Sequence, residues 1–131
     1  MLKEHPRFCK NILDNIHKPA FSKQLCEVLL DQQYFNGIGN YLRAEIMYRT
    51  GVSPFMKARE LFKSTPKNFD FKNINETSDR GLILLYLCKK IPEEVISQDL
   101  NKYGTPEQKE RFHQWLRCVT YFGTIIYMRN T

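Results

Sequence analysis

Phe8, Ile12, Leu13 and Ile16 recur at helical spacing and draw one apolar stripe. His17-Lys18-Pro19 stops that helix, because the residue before a proline avoids helical backbone. Leu25, Val28 and Leu29 mark a second helix, with Ser22 as its candidate N-cap. Residues 31–35 either continue it or add a short extra turn. The pattern then breaks at Asn36-Gly37-Ile38-Gly39-Asn40. Residues 41–50 form the next helix, with Leu42 and Ile46 one turn apart, Gly51 just past its end and Pro54 beyond. Residues 56–62 read as a short helix.

Residues 64–77 are polar, with Pro66 and several Asn and Lys, and read as a loop. Leu82, Leu85 and Tyr86 stripe a further helix that Pro92 is expected to interrupt, and residues 93–100 add a turn or two. Glu93-Glu94 reads as a helix start, where negative charge is favourable. Thr105-Pro106-Glu107-Gln108 carries two start signals. Thr105 and Gln108 have capping-box spacing, and Pro106 stands at the first helical position, where no N–H is needed. Phe112, Trp115 and Leu116 then share a face, with His113 turned to solvent. From residue 119 to 128 the chain is rich in Thr, Tyr, Phe and Ile, which is strand chemistry. The fold class is therefore mainly α, ending in a strand. No internal repeat or low-complexity tract is present.

Composition narrows the function classes. With 131 residues, 42% of them hydrophobic, the chain has material for one domain and is not a disordered segment. A formal charge of +6 points to an anionic partner, nucleic acid first and an acidic membrane surface second. Cys9, Cys26, Cys88 and Cys118 show neither C-x-x-C nor zinc-finger spacing with a histidine, and are read as reduced thiols. His5 and His17 are isolated in the sequence, so no metal is expected. The start of the chain lacks the apolar core of a signal peptide. The longest apolar run, residues 82–88, is too short to span a bilayer.

The break at residues 36–40 is the candidate chemistry. A helix start leaves backbone amides without partners and carries partial positive charge, so a phosphate can rest on it. Gly37 and Gly39 would let a phosphate approach the backbone, and the Asn40 side chain would add a donor. Such a site reads no base edge and grips nucleic acid without sequence preference. The alternative is a plain helix–helix turn with Asn40 as a cap. A P-loop is excluded, since no G-K-[ST] follows.

The surrounding run, Leu29-Leu30-Asp31-Gln32-Gln33-Tyr34-Phe35 through the break to Tyr41-Leu42-Arg43-Ala44-Glu45-Ile46, resembles the helix–two-turns–helix segment of the formamidopyrimidine-DNA glycosylase and endonuclease VIII family. The likeness continues through Tyr48, Pro54-Phe55 and Lys57-Ala58-Arg59. It returns at Pro92-Glu93-Glu94-Val95, Tyr103-Gly104 and Trp115-Leu116-Arg117-Cys118. Residues 64–77 and the tail after Cys118 do not share it.

The resemblance implies a DNA-binding domain at 1–118 and, at 119–131, the start of a zinc-free β-hairpin finger or a divergent tail. The cysteine spacing agrees with the zinc-free animal branch. The family excises oxidised bases and cuts the abasic strand by β,δ-elimination. Its residue matching Asn40 contacts the phosphate at the lesion, and the one matching Arg117 lies at the lesion-recognition position. The implied site is thus Gly37, Ile38, Gly39, Asn40 and Arg117, with double-stranded or damaged DNA as partner. No cofactor, a nuclear location, no membrane and a monomer are also implied.

The family's nucleophile is an N-terminal proline amine beside a glutamate, on a β-sandwich that this sequence does not contain. Met1-Leu2-Lys3 offers no such amine, and Pro6 has none free. No catalytic residue is therefore assigned, and the chain is expected to be the DNA-binding part of such an enzyme, inactive by itself. The competing readings are a stand-alone nucleic-acid-binding module without chemistry and a helical protein–protein adaptor.

Overall fold

The computed structural model describes residues 5–117. Within them, α1 (His5–Asp14), α2 (Leu25–Val28), α3 (Asn40–Thr50), α4 (Ala58–Phe62), α5 (Arg80–Ser97) and α6 (Pro106–Trp115) follow in order. Short 3-10 turns occur at Pro19–Ser22 and Phe71–Glu76. One isolated antiparallel bridge, Gln24 to Lys57, is the only extended pairing among the described residues. The chain is thus mainly α. The strand expected at 119–128 and the hairpin at 119–131 lie outside the described residues.

The main core forms where α3 packs on α5. Ile46 and Met47 of α3 meet Leu84, Leu85, Cys88 and Ile91 of α5, joined by Ile12 and Leu13 of α1 and by Phe21, Phe35 and Phe62. Each of the leucine, isoleucine, methionine and phenylalanine side chains, removed from water, contributes about 1.5–3 kcal/mol. A smaller cluster of Leu100, Phe112 and Leu116 seats α6, and Trp115 touches both cores. The capping box of α6 forms as its spacing predicts: Gln108 N–H donates to the Thr105 hydroxyl at 3.2 Å, and Thr105 N–H donates to the Gln108 side chain at 2.9 Å. Gly51 ends α3 in the left-handed conformation at φ 78°.

Four expectations are corrected. Ser22 does not cap α2, because its hydroxyl donates back to Pro19 O at 2.7 Å. The first amides of α2 go instead to backbone: Leu25 N–H to Met56 O at 2.7 Å and Cys26 N–H to Pro54 O at 2.9 Å. Pro92 does not interrupt its helix, since α5 runs unbroken from Arg80 to Ser97. A proline forfeits one intrahelical bond and crowds the preceding turn. Here buried Leu85, Cys88 and Ile91 before it and the Glu94 ion pair after it hold both halves on the core. Glu93-Glu94 accordingly lies in the last third of α5 and starts no helix. The loop at 64–77 contains the turn Phe71–Glu76, begun by Asp70 accepting from Lys72 N–H at 3.0 Å.

His5, isolated in the sequence, is packed in the fold. Its Nε2 donates to Leu85 O at 2.9 Å, and its ring meets Phe71 edge-on. Burial holds the imidazole below its ordinary 6.5, with the Leu85 bond acting the other way. Cys9 and Cys88 are buried nearby; burial pushes Cys9 up to about 12 and Cys88 higher still, so neither is a nucleophile at neutral pH.

Candidate nucleic-acid interface

Why two glycines flank one isoleucine is visible in the turn between α2 and α3. Ile38 is buried in the main core, so its side chain anchors the turn and only its backbone faces the site. Gly37 and Gly39 are both exposed. Gly37 has φ 88°, a conformation that L side chains rarely adopt. Gly39 has an ordinary φ of −98°, and a Cβ built there meets nothing within 4 Å. Nothing among the described residues requires glycine at position 39, which is exposed.

The amides divide in two. Gly37 N–H donates to the Gln32 side chain at 3.0 Å, and Ile38 N–H makes a long bond to Phe35 O at 3.4 Å. Arg43 N–H is the first to close a helical turn, to Gly39 O at 2.9 Å. The amides of Asn40, Tyr41 and Leu42 belong to the first turn of α3, which has no intrahelical acceptors. Gly39 stands at the N-cap of α3 with no side-chain cap, and Asn40 is its first residue. Asn40 is therefore not the cap that a plain turn would make of it. The donors an anion would meet are the α3 amides after Gly39 rather than those of Gly37 and Ile38.

Two basic groups stand on either side. An open groove of about 410 Å³ brings Arg7 and Asn11 of α1 beside Asn36, Gly37 and Ile38. A shallower one of about 250 Å³ joins Gly39, Tyr41 and Leu42 to Asn101 and Lys102. The Lys102 ammonium lies 4.2 Å from the Tyr41 ring centre and 4.6 Å from that of Tyr103.

The turn is braced from beneath. Arg43, fully buried on α3, donates through its guanidinium to Cys26 O on α2 at 2.7 Å, tying together the helices on either side. Burial lowers the Arg43 guanidinium from its ordinary value, with the neighbouring Cys26 working in the opposite direction.

Arg117 is exposed, and its position is set by a network reaching back to α3. Its backbone N–H donates to Glu45 at 2.7 Å. Glu45 is fully buried, and its other oxygen accepts from Arg49 Nε at 2.6 Å. Arg49 also pairs with Glu94 at 2.8 Å and lies 5.0 Å from the Trp115 ring centre. The Trp115 indole donates to Glu94 at 3.2 Å. Burial opposes the charge on both members of the Arg49–Glu94 pair. The hydrogen bonds outweigh it, raising Arg49 and holding Glu94 below its ordinary range. Asn40 and Glu45 are five residues apart on α3, about 7.5 Å along the axis. The turn and the backbone of Arg117 are thus carried by one helix.

Sequence patterning did not single out the buried Arg43 and Glu45 or the partly buried Arg49. Their one signal was the poor apolar periodicity of α3, which holds charged residues where a simple amphipathic helix would face its core.

No family model matches the chain. Human endonuclease 8-like 1 is 39% identical over 126 residues, covering 90% of this chain and 32% of that protein. Mouse endonuclease 8-like 1 is 40% identical over 127 residues, with the same shares. Endonuclease 8 of Klebsiella pneumoniae is 46% identical over 43 residues, a third of this chain. The chain thus spans about a third of the length of the curated animal relatives it matches. With nine-tenths of its length homologous to these proteins, the chain belongs to the formamidopyrimidine-DNA glycosylase and endonuclease VIII family.

Proposed function

We propose that this chain is the DNA-binding part of a base-excision-repair glycosylase and abasic-site lyase that removes oxidised bases. The observation that carries the reading is the start of α3: an exposed Gly39 with clear space outside it, followed directly by first-turn amides. A backbone phosphate near the lesion would accept from those amides and from Asn40, with Arg7 and Lys102 supplying charge on either side. Arg117, at the end of α6, would meet the damaged base, where its planar fork of donors suits carbonyl edges.

The chemistry belongs to the family's N-terminal proline and glutamate, which have no counterpart in residues 1–131. The chain alone is expected to bind DNA without excising bases. The reading carries with it a nuclear location, a helix–two-turns–helix domain at 1–118 and a monomer on double-stranded damaged DNA.

Titrating a labelled duplex with the chain at several salt concentrations tests the reading. Each phosphate gripped releases counterions, so log affinity should fall against log salt with a slope near −0.9 per phosphate contact. Affinity that ignores salt would remove the phosphate site. Borohydride trapping on a duplex with an oxidised pyrimidine checks the chemistry, and efficient trapping by this chain would contradict the missing nucleophile.

A further inference from the structure

We propose that Arg49 is a positioning residue for Arg117: it ties Glu45, Glu94 and Trp115 into one clamp that fixes the backbone at the end of α6. The proposal rests on the reading that Arg117 meets the damaged base.

The clamp grips the exit of α6 at two points, two residues apart. One is the Trp115 indole, which donates to Glu94 at 3.2 Å. The other is the Arg117 amide, which donates to Glu45 at 2.7 Å. Arg49 joins both acids, through Nε to Glu45 at 2.6 Å and through a terminal nitrogen to Glu94 at 2.8 Å, with its guanidinium 5.0 Å from the Trp115 ring centre. Its side chain is only 12% exposed, so solvent screens these contacts far less than those of a surface pair.

Only a planar fork can serve two carboxylates in fixed directions while facing a ring. A lysine has the charge without that geometry. The rest of α6 is seated by apolar packing, through the small cluster of Leu100, Phe112 and Leu116 and the Phe112 ring against Tyr41, so the clamp supplies the polar bonds at its exit. Without Arg49, the acid that holds the indole and the acid that holds the Arg117 amide would lose the cation that joins them. The end of α6, and the side chain it presents, would then be free to shift relative to α3.

Amide hydrogen exchange on the full chain reads this directly, comparing wild type with Arg49→Lys and Arg49→Met. In Arg49→Lys, the Arg117 amide and the Trp115 indole proton are expected to exchange at least tenfold faster. The Leu85 amide, deep in the main core, should stay within twofold. Unchanged exchange at Arg117 in Arg49→Lys would overturn the proposal. So would equal acceleration at Leu85, which would mark a general loss of stability. Arg49→Met removes the charge as well and should accelerate Arg117 no less.

A second arm measures affinity for a duplex carrying one oxidised pyrimidine, using Arg49→Lys, Arg117→Ala and the pair. If Arg49 acts through Arg117, Arg49→Lys should weaken binding by itself yet change it less than twofold in the Arg117→Ala background. Losses that multiply would place the effect of Arg49 elsewhere and overturn the proposal. Wild-type affinity in Arg117→Ala would sink the assignment of Arg117 to the base, while the exchange measurement still decides the clamp.

Discussion

Glu45 accepts the backbone N–H of Arg117 at 2.7 Å, across 72 residues of sequence. The bond joins the helix that begins at the glycine turn to the residue at the end of α6. It is made by a fully buried carboxylate, whose other oxygen is held by Arg49.

Glu45→Ala should be among the most damaging single changes in the domain. The change leaves Arg49 with Glu94 alone and takes the acceptor from the Arg117 N–H, and a part-buried donor left unmade costs about 1–3 kcal/mol. Urea denaturation followed by circular dichroism reads the loss. A midpoint within error of wild type would mean that Glu45 is not buried with its charge.

The two turn glycines should respond in opposite ways. Gly37→Ala forces a side chain into a left-handed backbone and should cost about 1–2 kcal/mol. Gly39→Ser meets no such strain and supplies a good N-cap hydroxyl, so stability should hold or rise. The same hydroxyl would occupy the amides proposed for phosphate, and duplex affinity should drop. Melting temperature and affinity, measured on both variants, separate the roles. A Gly39→Ser chain that binds DNA as wild type does would remove the α3 start from the interface.

Stability should fall as pH drops below about 6.5, the ordinary value of His5. The folded imidazole sits lower, so the unfolded chain takes up a proton that the folded one resists. The contribution of neutral His5 is complete above 6.5 and is lost as pH falls toward the folded value. Glu94, held below its ordinary 4.5, adds its own loss only in more acid solution. Melting curves from pH 8 to 5 should show the slope, and His5→Gln, which keeps a donor for Leu85 O, should flatten it. A full slope in that variant would assign the titration to another group.

What patterning could read was whatever depends on near neighbours. The capping box at Thr105, the left-handed Gly51 and the helices around residues 8–16 and 106–115 rest on contacts within a few positions. It failed where distant chain decides. The amides at the start of α2 pair with Pro54 and Met56, so Ser22 had no role to fill. The core on one side and Arg49 on the other carry α5 across Pro92. The turn before α3 was legible at Gly37 and Gly39 because glycine spacing is local. The burial of Arg43 and the reach of Glu45 to Arg117 depend on partners 17 and 72 residues away, and no spacing rule encodes those.

The Arg43 bond to Cys26 O has a consequence for how quickly and with what heat the turn would take a ligand. A loop that orders only on contact loses conformational freedom at that moment, which appears as unfavourable entropy and a slowed encounter. Here the freedom was already given up in folding, because the struts beneath the turn are a fully buried arginine and the Ile38 side chain. Association should then run at the rate set by diffusion and charge, with little change in heat capacity. What distinguishes one duplex from another would show in how long it stays bound, not in how fast it arrives.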